Sequence, residues 1–446
     1  MLPEKNKTYE IEISGLGTNG EGVGKFEDFT IFVEGALPTE KILAEIVEVK
    51  KNYAVGRLRK ILRESSERVK PFCPIYENCG GCQLQHLSYS AQLIWKRQQV
   101  VDAVERIGKL HGVEIFPTLG MKNPLRYRNK MQFPVGKNLE IGCYARGSHK
   151  IIDTDSCLIQ KESADKVLSV VKKILKRFNV PPYDEDSHKG ILRHVMSRVG
   201  FNNEIMIVLV TATKNLPNEK SIVKAIRAEI PEVSTIQQNI QTFHNNVILG
   251  RETKILYGKP TIKDKIGSLE FNISARSFFQ VNTSQAEILY KTAKNFAQLT
   301  GKEILIDAYC GTGTIGLFMA KNAYKVFGIE IVREAIDDAK KNARENKIRN
   351  AEFIVGDVVK ILPRLETYAD IVVVDPPRAG CDKKVLETFS EMKTARIVYV
   401  SCNPATLARD LAILSELGYC TKKIQPVDMF PFSSHVEAVA QIEKIN

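Results

Sequence analysis

From residue 304 onward the chain alternates short apolar runs with longer stretches of helical periodicity, and few folds accommodate that alternation. Ile304-Leu305-Ile306, Lys325–Ile329, Glu352–Val355, Ile371–Val374 and Ile397–Val400 are short and apolar, and most are rich in β-branched residues, as buried strands are. Helical segments such as Ile331–Asn346 and Pro404–Leu417 separate them. Strands and helices taking turns in this way predict a doubly wound, Rossmann-like α/β sheet. The tail, Thr421–Asn446, lacks a further helix and is expected to close as an antiparallel strand pair.

Open α/β sheets bind ligands beyond the carboxyl ends of their strands. Three such ends here carry chemistry. Asp307-Ala308-Tyr309-Cys310-Gly311-Thr312-Gly313-Thr314 runs a strand into a glycine turn. Gly311 to Gly316 spells GxGxxG, and Glu330 closes the next strand, where an acid would bind ribose hydroxyls. That turn alone suits an NAD-dependent oxidoreductase or an S-adenosylmethionine-dependent methyltransferase. The fourth strand ends in Asp375-Pro376-Pro377-Arg378, which resembles the motif of methyltransferases acting on planar nitrogen-containing rings. The fifth ends in Ser401-Cys402-Asn403-Pro404, placing a nucleophile at the same edge. Glu437 precedes the apolar run Ala438-Val439-Ala440 and should stand near that edge as a base, with His435 as its competitor.

The front of the chain reads differently. Alternating strands (Tyr9–Ile13, Phe29–Val33, Ile42–Val47) punctuated by Gly15, Gly17, Gly20, Gly22 and Gly24 suggest a small oligonucleotide-binding-type barrel. Lys50 to Lys70 then holds eight basic residues against two acidic ones, either a solvated strand edge or a phosphate-binding surface. The net charge of +12 suits a polyanionic partner. No apolar run reaches the roughly 18 residues of a membrane span. The N-terminus lacks the apolar stretch of a signal peptide, so a cytoplasmic, non-membrane protein is expected. Residues 120–280 mix strand-like runs with helical ones (Ala164–Phe178, Lys220–Ile230) and predict an α+β region. Cys73-x5-Cys79-x2-Cys82 has the spacing of a metal or cluster loop; zinc and a 4Fe–4S cluster both fit, with Cys143 or Cys157 as a fourth ligand.

Taken together, Asp307–Gly311, Asp375–Arg378, Ser401–Pro404, His435-Val436-Glu437 and Phe279-Gln280-Val281-Asn282 resemble the signature set of the RNA uracil-5-methyltransferase family. The resemblance spans essentially the whole chain. It implies an N-terminal TRAM β-barrel at 1–62, a central α+β domain with an iron–sulfur cysteine loop at 63–280, and a methyltransferase domain at 281–446. It implies Cys402 as nucleophile toward uracil C6 and Glu437 as the base that removes the C5 proton. It implies Gln280, Tyr309, Glu330 and Asp375 around S-adenosylmethionine and the target ring, with Asp357 toward the adenine edge. It selects a 4Fe–4S cluster on Cys73, Cys79, Cys82 and Cys157, leaving Cys143 a bystander. The barrel and the cysteine loop point to 23S ribosomal RNA as substrate, with transfer RNA as the alternative. An NAD-dependent iron–sulfur oxidoreductase would leave Cys402 and Glu437 idle. A non-catalytic RNA-binding protein would account only for the barrel and the charge.

Overall fold

A computed structural model of the chain describes residues 2–365 and 369–445. Thr8–Leu16, Gly22–Phe26, Phe29–Glu34, Tyr53–Arg63 and Lys41–Val49 form, in that order, a closed five-stranded barrel. Side chains alternate between core and solvent along Lys41–Val49, as the period of two requires. Ile11, Ile13, Ile31, Val33, Ile42 and Ile46 fill the barrel. Gly24 is fixed by space: a Cβ there would lie 2.4 Å from Ile11 Cγ2 on the neighbouring strand.

The central sheet has the order Glu252–Gly258, Val233–Ile240, Ile205–Thr211, Leu192–Val199, Lys130–Pro134. Its inner strands, Leu192–Val199 and Ile205–Thr211, are buried throughout because both faces are covered. The helices Glu162–Arg177 and Glu219–Glu229 contribute to the core on one face. On the other, Met196, Met206, Val208 and Val210 join the core of the C-terminal region.

That region is an eight-stranded sheet ordered Ala351–Val355, Lys325–Glu330, Ile304–Ala308, Ile371–Val374, Arg396–Ser401, Glu437–Lys444, Tyr419–Val427, Glu114–Ile115. The first five strands run parallel, and Glu437–Lys444 is antiparallel to both its neighbours. The expected helices appear as Arg333–Glu345 and Pro404–Glu416, and the tail is the expected strand pair. The eighth strand comes from far upstream, as does the Tyr89–Arg106 helix, whose Val100 and Val104 enter the core of this sheet. No helix among the described residues is long and apolar enough to cross a membrane.

Candidate active site

The glycine turn is strained where a ligand would approach. Gly311 and Gly313 have φ of +53° and +78°, and Tyr309 holds a left-handed φ of +63° without being glycine. A Cβ at Gly311 would meet nothing within 4 Å, so space opens above the turn. Glu330 receives the Gly311 N–H on Oε2 (3.2 Å) and the Val332 N–H on Oε1 (2.9 Å). Gly316, the third glycine of the motif, serves packing instead, since its Cβ would lie 2.8 Å from Asp307 Oδ2. That oxygen accepts the Gly316 N–H at 2.7 Å, while the buried Asp307 Oδ1 has no partner among the described residues. Asp357 caps the next short helix by accepting the Val359 N–H (3.1 Å). Gln280 is buried, and its carbonyl accepts from Asn129 Nδ2 at 3.1 Å.

Cys402, Asp375 and Glu437 meet at the carboxyl edge of the sheet. Sheet register brings two of them together: Ser401 pairs with Ala438 across antiparallel strands, so the residues just beyond, Cys402 and Glu437, flank the same rung. Asn403 sets the turn by capping the Pro404–Glu416 helix through the Ala405 N–H (3.0 Å) and bonding the Arg378 carbonyl (3.2 Å). Burial, then the Asp375 charge, pushes Glu437 up to about 8. Burial raises Asp375 to about 7. Cys402 is raised by burial and then by the Glu437 and Asp375 charges, against the pull of Arg378. A buried carboxylate with a raised pKa is a stronger base than one in water, and the same acids keep the resting thiol protonated. His435, the competing base, lies at the surface, and partial desolvation, then the Arg378 and Lys96 charges, lowers its pKa.

An open groove of about 1170 Å³ runs from Cys402, Arg378 and His435 along Ile94, Gln98 and Arg106 to Ser14–Asn19 of the barrel. The basic stretch Lys50–Lys70 is not uniformly free to meet RNA. Lys50, Arg59, Arg63 and Arg68 pair with Glu48, Glu45, Glu12 and Glu40. Four of the eight cations therefore spend their charge within the protein, and the groove meets this stretch only at Ser65–Glu67.

The front cysteines gather around a cavity of about 40 Å³ lined by Cys73, Cys79, Cys82, Cys143 and Cys157 together with Phe72, Tyr76 and Ile159. Among the described residues no group of three or more His, Cys, Asp or Glu side chains stands in metal-ligating geometry. The sulfurs ring an apolar space instead. Cys143, expected to be a bystander, shares the cavity: its thiol hydrogen-bonds the Cys79 sulfur, which lowers the pKa of Cys79 and raises that of Cys143. The Gly142–Tyr144 strand brings it there, since the Gly80 N–H donates to the Tyr144 carbonyl (3.0 Å). Arg146 donates to the carbonyls of Tyr76, Cys79 and Cys82 and pairs with Glu34 of the barrel, so it ties the loop to the first domain. Sequence reasoning also missed Lys96. It lies fully buried and ion-paired with Asp428 at 2.6 Å, a burial that a helix rich in surface cations does not advertise.

A parallel sheet with a glycine turn, a ribose-placed acid and an acid-proline-proline strand end defines the class: a methyltransferase of the S-adenosylmethionine-dependent type. Comparison with known proteins narrows it. The TRAM domain model matches residues 4–58, a methyltransferase domain model 305–395, and the tRNA (uracil-5-)-methyltransferase model 361–445. RNA methyltransferases of Clostridium tetani and Halalkalibacterium halodurans are 52% and 50% identical over 98% and 99% of this chain and 96% and 98% of theirs. The crystal structure of Pyrococcus abyssi tRNA (uracil-54, C5)-methyltransferase with S-adenosyl-L-homocysteine matches at TM-score 0.80 and 30% identity, over 97% of this chain and 100% of that one. The chain belongs to the RNA uracil-5-methyltransferase family.

Proposed function

We propose that this enzyme methylates carbon 5 of uridine in 23S ribosomal RNA through a covalent bond between Cys402 and uracil C6. The observation that carries the reading is the convergence of Cys402, Asp375 and Glu437 at one sheet edge, where Cys402 lines the groove. Bound S-adenosylmethionine supplies an electrophilic methyl group; Tyr309, the Gly311–Gly313 turn, Glu330 and Asp357 would hold its nucleoside, and Gln280 and Asp375 would face the reacting end. Carbon 5 of uracil is a poor nucleophile. Addition of the Cys402 thiolate to C6 turns the ring into an enolate whose C5 can take the methyl group. Glu437 then accepts the C5 proton, the ring electrons expel the thiolate, and the 5-methyluridine leaves with its C5–C6 double bond restored.

The sulfur donors and the apolar lining of the cysteine cavity support a 4Fe–4S cluster as its ligand. Cys73, Cys79, Cys82 and Cys157 would hold it, cross-linking the loop to the segment around Cys157. The barrel and this loop support ribosomal RNA as substrate. One observation favours transfer RNA instead: the Pyrococcus abyssi enzyme, named for uridine 54 of tRNA, matches 97% of this chain. Mapping 5-methyluridine in ribosomal and transfer RNA from a strain deleted for this chain decides between them. Loss from 23S RNA alone is expected; loss from tRNA alone would replace the proposal with its alternative.

A further inference from the structure

The segment that leads into Glu437 is tied to the front half of the chain by a series of hydrogen bonds, beside its own Ser433 N–H to Phe430 carbonyl bond and the bond from Asn282 Nδ2 to the Met429 carbonyl. Gln83 and Leu84, directly after Cys82, both donate their backbone N–H to the Phe432 carbonyl, at 3.0 and 2.9 Å. The Phe432 N–H donates to Gln92 Oε1 (3.1 Å), and the Ser434 N–H to Gln83 Oε1 (3.3 Å). Gln83 Nε2 in turn donates to the Gly80 carbonyl (2.9 Å), inside the cysteine loop. Tyr127 caps the Pro431 carbonyl, and Lys96 the Phe430 carbonyl. The Phe432 ring is buried in one cluster with Tyr76 and Cys82, edge-on to Phe72 at 4.8 Å. Phe432 also has a left-handed φ of +67°, a conformation a phenylalanine keeps only when its surroundings enforce it.

We propose that the cysteine loop positions Glu437, with Gln83 and Phe432 as the positioning residues, so that the state of the cysteine cavity sets the rate at which the methylated RNA is released. Gln83 bridges Gly80 to Ser434, three residues before Glu437, and Phe432 plugs its ring against the cavity wall. A shift of this loop therefore moves the base while leaving Cys402 on its own strand end and helix cap. The device acts on the last step, removal of the C5 proton, and spares the first, addition of the thiolate. It rests on the reading of Glu437 as the base.

The test is a single-turnover reaction of the full-length enzyme with S-adenosylmethionine and total RNA from a strain deleted for this chain, following protein-bound RNA on denaturing gels. Gln83→Met keeps the volume and removes both side-chain bonds; Gln83→Glu keeps the acceptor for Ser434. Adduct formation should stay within about twofold of wild type in Gln83→Met and Phe432→Leu, while resolution slows about tenfold, since small misplacements of a reacting group are costly. Gln83→Glu keeps that acceptor but cannot donate to the Gly80 carbonyl, so the bridge to the cysteine loop is cut and resolution should slow here as well. Iron and sulfide content and melting temperature, measured on the same preparations, show whether the variants are intact. Equal slowing of both steps, or wild-type resolution in Gln83→Glu, would overturn the proposal. If Glu437→Gln traps the adduct while Gln83→Met and Phe432→Leu behave as wild type, only this inference falls. If Glu437→Gln releases product normally, the base assignment falls with it.

Discussion

Two regions of this molecule concentrate cysteine chemistry, and they are built in opposite ways. At the sheet edge one half-buried thiol, Cys402, stands among carboxylates beside an open groove. In the central domain five thiols crowd a small apolar cavity, flanked by the Arg146 guanidinium on the loop carbonyls and by Asp165, which accepts the Cys157 N–H. Thiols arranged to share a ligand need each other and need water excluded. A thiol that attacks a substrate needs room in front of it and a base at its side. The surroundings, more than the cysteine itself, set the role.

That contrast predicts separable losses. Cys402→Ala should remove turnover to the limit of detection while leaving the iron and sulfide of anaerobically purified protein unchanged. Cys157→Ser should lose iron and sulfide, and Cys143→Ser should keep them. Zinc at one equivalent without labile sulfide, or loss in Cys143→Ser but not in Cys157→Ser, would reverse the assignment of the front site. Cys402→Ala with normal turnover would reverse that of the edge.

A smaller effect sits between the two regions. Lys96 and Asp428 are both fully buried, and Tyr89 adds a hydrogen bond to the acid at 2.9 Å. Lys96→Met leaves that carboxylate without its cation, which costs about 3–5 kcal/mol for a buried pair. Denaturant unfolding should show that loss, and an unchanged midpoint would mean the pair is dispensable.

The smallest effect is on the pH dependence of stability. Asp375, Asp307 and Glu437 sit near 7, 7 and 8 in the folded chain, all above ordinary carboxylate values. The folded state therefore binds more protons than the unfolded one between those limits, so stability falls as pH rises from about 5 through 8. Melting temperature should drop by a few degrees between pH 6 and pH 8.5. Glu437→Gln should flatten that slope; a slope identical to wild type would show that Glu437 is not the strained acid.

Much of the edge was legible because its residues follow local rules. Cys402 and Asp375 directly follow apolar strands, and Glu437 directly precedes one, so periodicity alone put them on one side of the sheet. The cysteine loop announced itself by short spacing. Cys143 did not, because its place depends on the backbone contact between Gly80 and Tyr144, which no spacing encodes. The upstream strand Glu114–Ile115 and the Tyr89–Arg106 helix joined the catalytic sheet for the same reason: long-range packing chose their partner. In Lys50–Lys70 the sequence shows how many cations there are but not which of them stand beside acids, as Arg63 does beside Glu12.

The covalent mechanism is tested most directly by the mass of the protein–RNA species formed by Glu437→Gln with unmodified uridine RNA and S-adenosylmethionine. Nuclease digestion followed by mass spectrometry should find Cys402 bearing a nucleotide whose uracil already carries the methyl group. Turnover should be reduced about 10²- to 10⁴-fold, as for loss of a positioned base. Free 5-methyluridine produced at the wild-type rate would contradict the assignment of Glu437, and an adduct on any residue other than Cys402 would contradict that of the nucleophile.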